Sequence, residues 1–151
     1  MRFESARDAL KHAKEFHQKL VVFYQKLAKD ENIPRTQLLL EYMISEEKKL
    51  AESLTHYEKN TPSGVLDTWL QYANDQEILK LPIVKNHPST QSMDDILELS
   101  MQMSDELIAV YQVVAEQVDE HKVKDIFNNL ADMQWQKQKR ISMNFDRFMD
   151  I

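Results

Sequence analysis

The stretch LLEYMISEEKKLAESLTHY, Leu39 to Tyr57, decides the fold. At helical spacing, Leu40, Met43, Glu47, Leu50, Leu54 and Tyr57 form one stripe stepping 3, 4, 3, 4 and 3. That is the seam of a helix packed in a bundle, and a carboxylate stands in its middle. A solvent-facing Glu needs no explanation. A seam Glu must find a partner or lose its charge, because burying it alone is costly. What Glu47 faces is therefore the question on which the site depends.

Composition agrees with the helical reading. The 151 residues contain one Gly and four Pro, and 29% are charged. A chain so poor in Gly and rich in Leu, Glu, Lys and Met suits an all-α protein of one domain, 1–151, large enough to bury a core. The net charge of −6, read without a basic stripe, argues against nucleic acid. The longest apolar run, Leu20 to Tyr24, is far too short to span a membrane. The N-terminal residues carry no signal-peptide or lipidation pattern, so a cytoplasmic protein is expected. Without Cys there are no disulfides, thiolate metal ligands or thiol nucleophile.

Four long helices are predicted. The first, 5–30, opens at Ser5 with Asp8 three residues on, a capping-box-like pair. Its seam is Leu10, Ala13, His17, Leu20, Tyr24 and Leu27. The run LVVFY (Leu20 to Tyr24) is apolar right around this helix, which predicts a second covered face, in a homodimer or against the connecting segment. Pro34 suits the first turn of the second helix, 34–58. Residues 59–91 break the periodicity and hold Gly64 and the other Pro residues. They read as a long crossover with a short helix near Val65 to Ala73 that docks Trp69 and Leu70. A link of that length predicts parallel second and third helices. The third helix, 92–118, starts at Ser92 with Asp95, and its seam is Leu97, Ser100, Ser104, Leu107, Tyr111, Val114 and Val118. The fourth, 121–149, carries Phe127, Leu130, Gln134, Lys137, Ile141, Asn144 and Phe148.

The helix pairs 5–58 and 92–149 read as an internal repeat. A constant offset of 87 places Ser5 on Ser92, Asp8 on Asp95, Leu10 on Leu97, Tyr24 on Tyr111, Leu40 on Phe127 and Leu54 on Ile141. Duplicated helix pairs with a long link predict a four-helix bundle with an approximate internal two-fold axis. The same offset relates His17 to Ser104, Glu47 to Gln134 and Leu50 to Lys137. The polar seam residues therefore collect at mid-bundle.

This pattern resembles the ferritin-like superfamily, in particular its rubrerythrin-like branch. The resemblance covers nearly the whole chain. It includes Phe23, Tyr24, Leu27 and Ala28 near the end of the first helix, and Glu46, Glu47 and Ala51 on the second. In that family a Glu from the first and third helices, and a Glu-x-x-His from the second and fourth, hold two irons. At the matching positions stand His17, Ser104, Glu47 with Leu50, and Gln134 with Lys137. One ligand of six is retained in type, and the Cys module of rubrerythrins is missing. Two divalent cations need carboxylates to balance them, and Lys137 adds positive charge instead. The resemblance thus implies a ferritin-like bundle that has lost its di-iron site, with no cofactor favoured. A single divalent metal on His17, Glu47 and Gln134 is the variant reading.

Glu47 and Lys137 are expected to form a buried pair, with Gln134 and either Ser104 or Tyr111 as further acceptors for the ammonium. Tyr24 and Tyr111 are expected to fill the core with their hydroxyls in the polar cluster. Glu52 and His56 read as a solvated pair, and His12, His87 and His121 as surface residues. Met43, Met101, Met103, Met133 and Met143 read as packing. Lys137, Lys139 and Arg140 make no nucleic-acid patch beside so many acids. No nucleophile motif or phosphate loop is present. The expected function is a non-enzymatic binding or interaction module, with a small-molecule or protein partner that the sequence does not specify. A redox protein with an atypical iron or manganese site acting on oxygen or peroxide is the alternative, and a small-molecule pocket at mid-bundle a third.

Overall fold

The computed structural model describes residues 5–70 and 92–149. It is helical: α1 Ala6–Asp30, α2 Pro34–Asn60, α3 Ser63–Leu66, α4 Met93–Gln117 and α5 His121–Met149. Extended backbone pairs, among the described residues, in one isolated antiparallel bridge, Ser5 with Trp69. No helix of the described residues is long and apolar enough to cross a membrane.

Each boundary has a local cause. Ser5 accepts a hydrogen bond from the Asp8 backbone N–H at the start of α1, and Ser92 with Asp95 completes a reciprocal capping box on α4. Both satisfy amides that a helix N-terminus leaves without partners. The turn from α1 to α2 is held by Glu31, whose Oε1 accepts from the backbone N–H of Asn32 and Ile33 at 3.0 and 2.9 Å. Gln37 Nε2 then donates to the Glu31 carbonyl at 2.6 Å, and Pro34 stands in the first turn of α2.

The seams read from sequence are the buried faces. Leu10, Ala13, His17, Leu20, Tyr24 and Leu27 are all buried on α1, as are Leu40, Met43, Glu47, Leu50 and Leu54 on α2. Tyr57, Leu97, Asn144 and Phe148 are half-buried at the seam ends. α1 packs on α2, α4 on α5, and α2 on α5. Three contacts fix the direction of the last pair. Glu47 meets Lys137, Glu46 meets Arg140, and Tyr42 meets Asn144. Numbers falling on one helix as they rise on the other mean antiparallel packing. Ser104 with Gln134 and Met101 with Gln138 give the same sense for α4 and α5. His17 with Glu47 and Lys14 with Glu58 give it for α1 and α2.

Several expectations are corrected. The short helix is Ser63–Leu66, starting after Pro62, where the fixed proline φ favours a helix start. Ala73 and the rest of 71–91, His87 included, lie outside the described residues. Leu70 is buried as expected, but Trp69 is 58% exposed. Its backbone pairs with Ser5, just before α1. Met143, expected in the packing, is 65% exposed. His12 is half-buried against Asp8 at 3.1 Å rather than free on the surface.

The capping box on α4 gives a direct check. Ser92→Ala should cost about 1 kcal/mol, because the Asp95 amide loses its acceptor. Urea titration should show a lower midpoint with an unchanged slope. An unchanged midpoint would contradict the assigned helix start.

Candidate functional site

The seven residues singled out at mid-seam are all buried, none more than 2% exposed: His17, Tyr24, Glu47, Ser104, Tyr111, Gln134 and Lys137. α1 contributes His17 and Tyr24, α2 Glu47, α4 Ser104 and Tyr111, and α5 Gln134 and Lys137. They arrive together because each occupies the seam position of its own helix, and the seams face one core.

Glu47 is the hub. Lys137 Nζ donates to its Oε1 at 2.5 Å, and His17 Nδ1 meets its Oε2 at 2.5 Å. Burial alone would push the carboxyl up. The Lys137 ammonium and His17 outweigh that and bring it down to about 2. An ionised carboxylate only accepts, so the proton of the second contact belongs to His17 Nδ1, which donates. The Lys137 ammonium balances the charge of the Glu47 carboxylate. That balance is what makes the burial tolerable.

Ser104 and Gln134 form a second pair, Gln134 Nε2 donating to Ser104 Oγ at 2.7 Å. This corrects the expected arrangement, in which Lys137 used Gln134 and Ser104 or Tyr111 as further acceptors. The ammonium goes to Glu47, and the amide turns toward Ser104. Gln134 Oε1 is left buried without a donor. The pair is nonetheless informative. His17 with Glu47 and Ser104 with Gln134 are each 30 residues apart, at positions related by the 87-residue offset. Both tyrosine hydroxyls belong to the same environment. Burial first, and the Glu47 charge second, push the Tyr24 and Tyr111 phenols up.

Sequence reading passed over Glu46. It is 2% exposed and accepts from the Arg140 guanidinium at 2.8 Å. The signal was present: Glu46 lies three residues after Met43 and four before Leu50, on the same seam steps that select Glu47. A groove of about 300 Å³ opens beside it, lined by Glu46, Lys49, Leu50, Met133 and Arg140 among others. Leu50 occupies the turn after Glu47, so the α2 seam offers an alkyl group there rather than a donor. Glu52 and His56 are exposed as expected, with His56 bonded to Asn60.

The site offers ion pairing and hydrogen bonding around one carboxylate. Both oxygens of that carboxylate are engaged, and among the described residues no three His, Cys, Asp or Glu side chains gather into one group. In comparisons with known proteins, no family model, curated protein or solved structure matches the chain.

The pair predicts a steep mutational response. Lys137→Ala should destabilise by roughly 3–5 kcal/mol, because Glu47 stays buried without its counter-charge. Replacing Glu47 by Gln and Lys137 by Met together should cost much less than the sum of the single changes. Denaturation of the four proteins in the cycle reads the coupling, and zero coupling would contradict the pair.

Proposed function

We propose that this chain is a ferritin-like four-helix bundle whose di-iron site has given way to a buried ion pair, and that it serves as a non-enzymatic interaction module. The architecture is supported by helix directions. α2 and α4 are each antiparallel to α5, so they run the same way, which is the arrangement a long crossover between them calls for. Duplication is supported by the matched caps of α1 and α4 and by the matched His17–Glu47 and Ser104–Gln134 pairs.

The observation that carries the functional reading is the Lys137 ammonium seated on Glu47 Oε1 while His17 holds Oε2. The donor set does not fit a dinuclear centre. It contains one carboxylate with both oxygens occupied, an amide already bonded to a serine, and a fixed cation that repels a metal. A mononuclear centre on His17, Glu47 and Gln134 would have to break the His17 contact and compete with Lys137. On this reading the core is structural and the outer faces are where the module works. Self-association as a homodimer is part of the reading, because Val22 in the apolar run of α1 is 49% exposed.

Metal analysis separates this reading from a redox enzyme. Protein purified without chelator should contain iron and manganese far below one equivalent, and added Fe²⁺ or Mn²⁺ should leave its melting temperature unchanged. A ligand that binds the native state must raise it. Near-stoichiometric metal would overturn the proposal.

A further inference from the structure

The net charge of the chain conceals a division between two helices. α4 carries six acidic residues and neither Lys nor Arg. α1 carries six basic residues against three acidic ones, so the expectation of no basic stripe is corrected here. The division follows the repeat position by position. Arg7, Lys11, Gln18, Val22 and Lys29 step by 4, 7, 4 and 7 along the exposed side of α1. At the 87-residue offset stand Asp94, Glu98, Asp105, Ala109 and Glu116 on α4. Beside the stripes, Lys19 corresponds to Glu106. Every cation of the α1 stripe answers to an acid on α4.

Most of these charges have no use inside the subunit. Lys11, Lys19 and Lys29, and likewise Asp94, Glu98, Glu106 and Glu116, make no ion pair among the described residues. Arg7 is already engaged with Asp67 at 3.2 Å, and Asp105 with Gln138 at 2.7 Å. Each stripe also has an apolar centre at the same level, Val22 exposed on α1 and Ala109 half-buried on α4. A small apolar centre flanked by charge is the anatomy of a protein contact. α1 packs on α2, α4 on α5 and α2 on α5, and buried residues of α1 and α4 join one core, so these two helices form the remaining side of the bundle. A two-fold axis between two copies can therefore bring each stripe onto its opposite number.

We propose that a second copy of this chain docks here, in a symmetric dimer whose α1 lies along the partner's α4 and whose α4 lies along the partner's α1. The charge pattern selects this occupant. A polyanion would suit α1 and be repelled by α4, whereas an identical chain satisfies both stripes at once. The inference rests on the self-association proposed above and supplies its surface; it is independent of the ferritin-like ancestry.

Sedimentation of the full chain provides the test, with two surface variants. The first, Lys11→Glu with Lys29→Glu, makes both stripes acidic; the second, Glu98→Lys with Glu116→Lys, makes both basic. The parent should be dimeric at ~50 mM salt and weaken on the order of tenfold by ~500 mM, as the charges are screened. Each variant alone should be monomeric, with an unchanged far-UV circular dichroism spectrum. Mixing the two variants should restore a dimer, because each acidic stripe then meets a basic one. Lys11→Gln with Lys29→Gln should weaken the parent dimer without creating repulsion. Variants that dimerise alone as the parent does, or a mixture that stays monomeric, would overturn this surface and leave self-association standing. A parent monomeric at every salt concentration would overturn both.

Discussion

A carboxylate with no access to water sets the terms for the whole core. Glu47 is fully buried on the seam of α2, and nothing on its own helix neutralises it. Its charge is held by Lys137 from α5 and oriented by His17 from α1. Three helices are thereby tied to one pair of oxygens. The hairpins α1–α2 and α4–α5 share one apolar core, and polar contacts between them are added at Glu47 with Lys137, Glu46 with Arg140, and Tyr42 with Asn144. Apolar packing is tolerant of register, whereas a buried ion pair is satisfied in one register only. The pair at mid-length accordingly fixes how the two hairpins meet.

Polar groups stand at matching levels of the two hairpins. Both halves cap their first helix with Ser and Asp three residues apart, and both bond the first helix to the second at the same seam level. The halves differ in what fills that level. One uses imidazole and carboxylate; the other uses hydroxyl and amide. Lys137, standing where the first half has Leu50, supplies the charge that the first half lacks. On the outer faces of α1 and α4, positions 87 residues apart carry opposite charges.

Much of this was legible in the residues. Helix spans, seam membership and the Glu47–Lys137 contact follow from a period of 3 and 4 and from one offset, because burial on a helix is dictated by spacing. Three things escaped. Glu46 was left out because the 3 and 4 steps from Met43 to Leu50 fit it as well as Glu47, and the stripe was drawn through Glu47 alone. Gln134 pairs with Ser104 rather than with Lys137, a choice of partner that spacing does not rank. Trp69 was expected to dock on the bundle from a short helix, but it lies beyond that helix, its backbone paired with Ser5 and its side chain exposed. The charge division between α1 and α4 vanishes in a whole-chain sum, and it emerges only when exposed positions of the two helices are compared.

The account stands on Glu47 being ionised because Lys137 and His17 hold it so. Carbon-detected NMR of the Glu47 carboxyl, followed as pH is lowered, reads that directly. The ordinary midpoint is 4.5, and the partners depress it to about 2. A group depressed in the folded state stabilises above its ordinary value and loses that contribution as pH falls through the depressed one. The interval corresponds to about 3 kcal/mol. The account predicts a Glu47 carboxyl still ionised at pH 4 and protonating near pH 2, as the fold is lost. A midpoint at or above the ordinary value in the folded protein would contradict it.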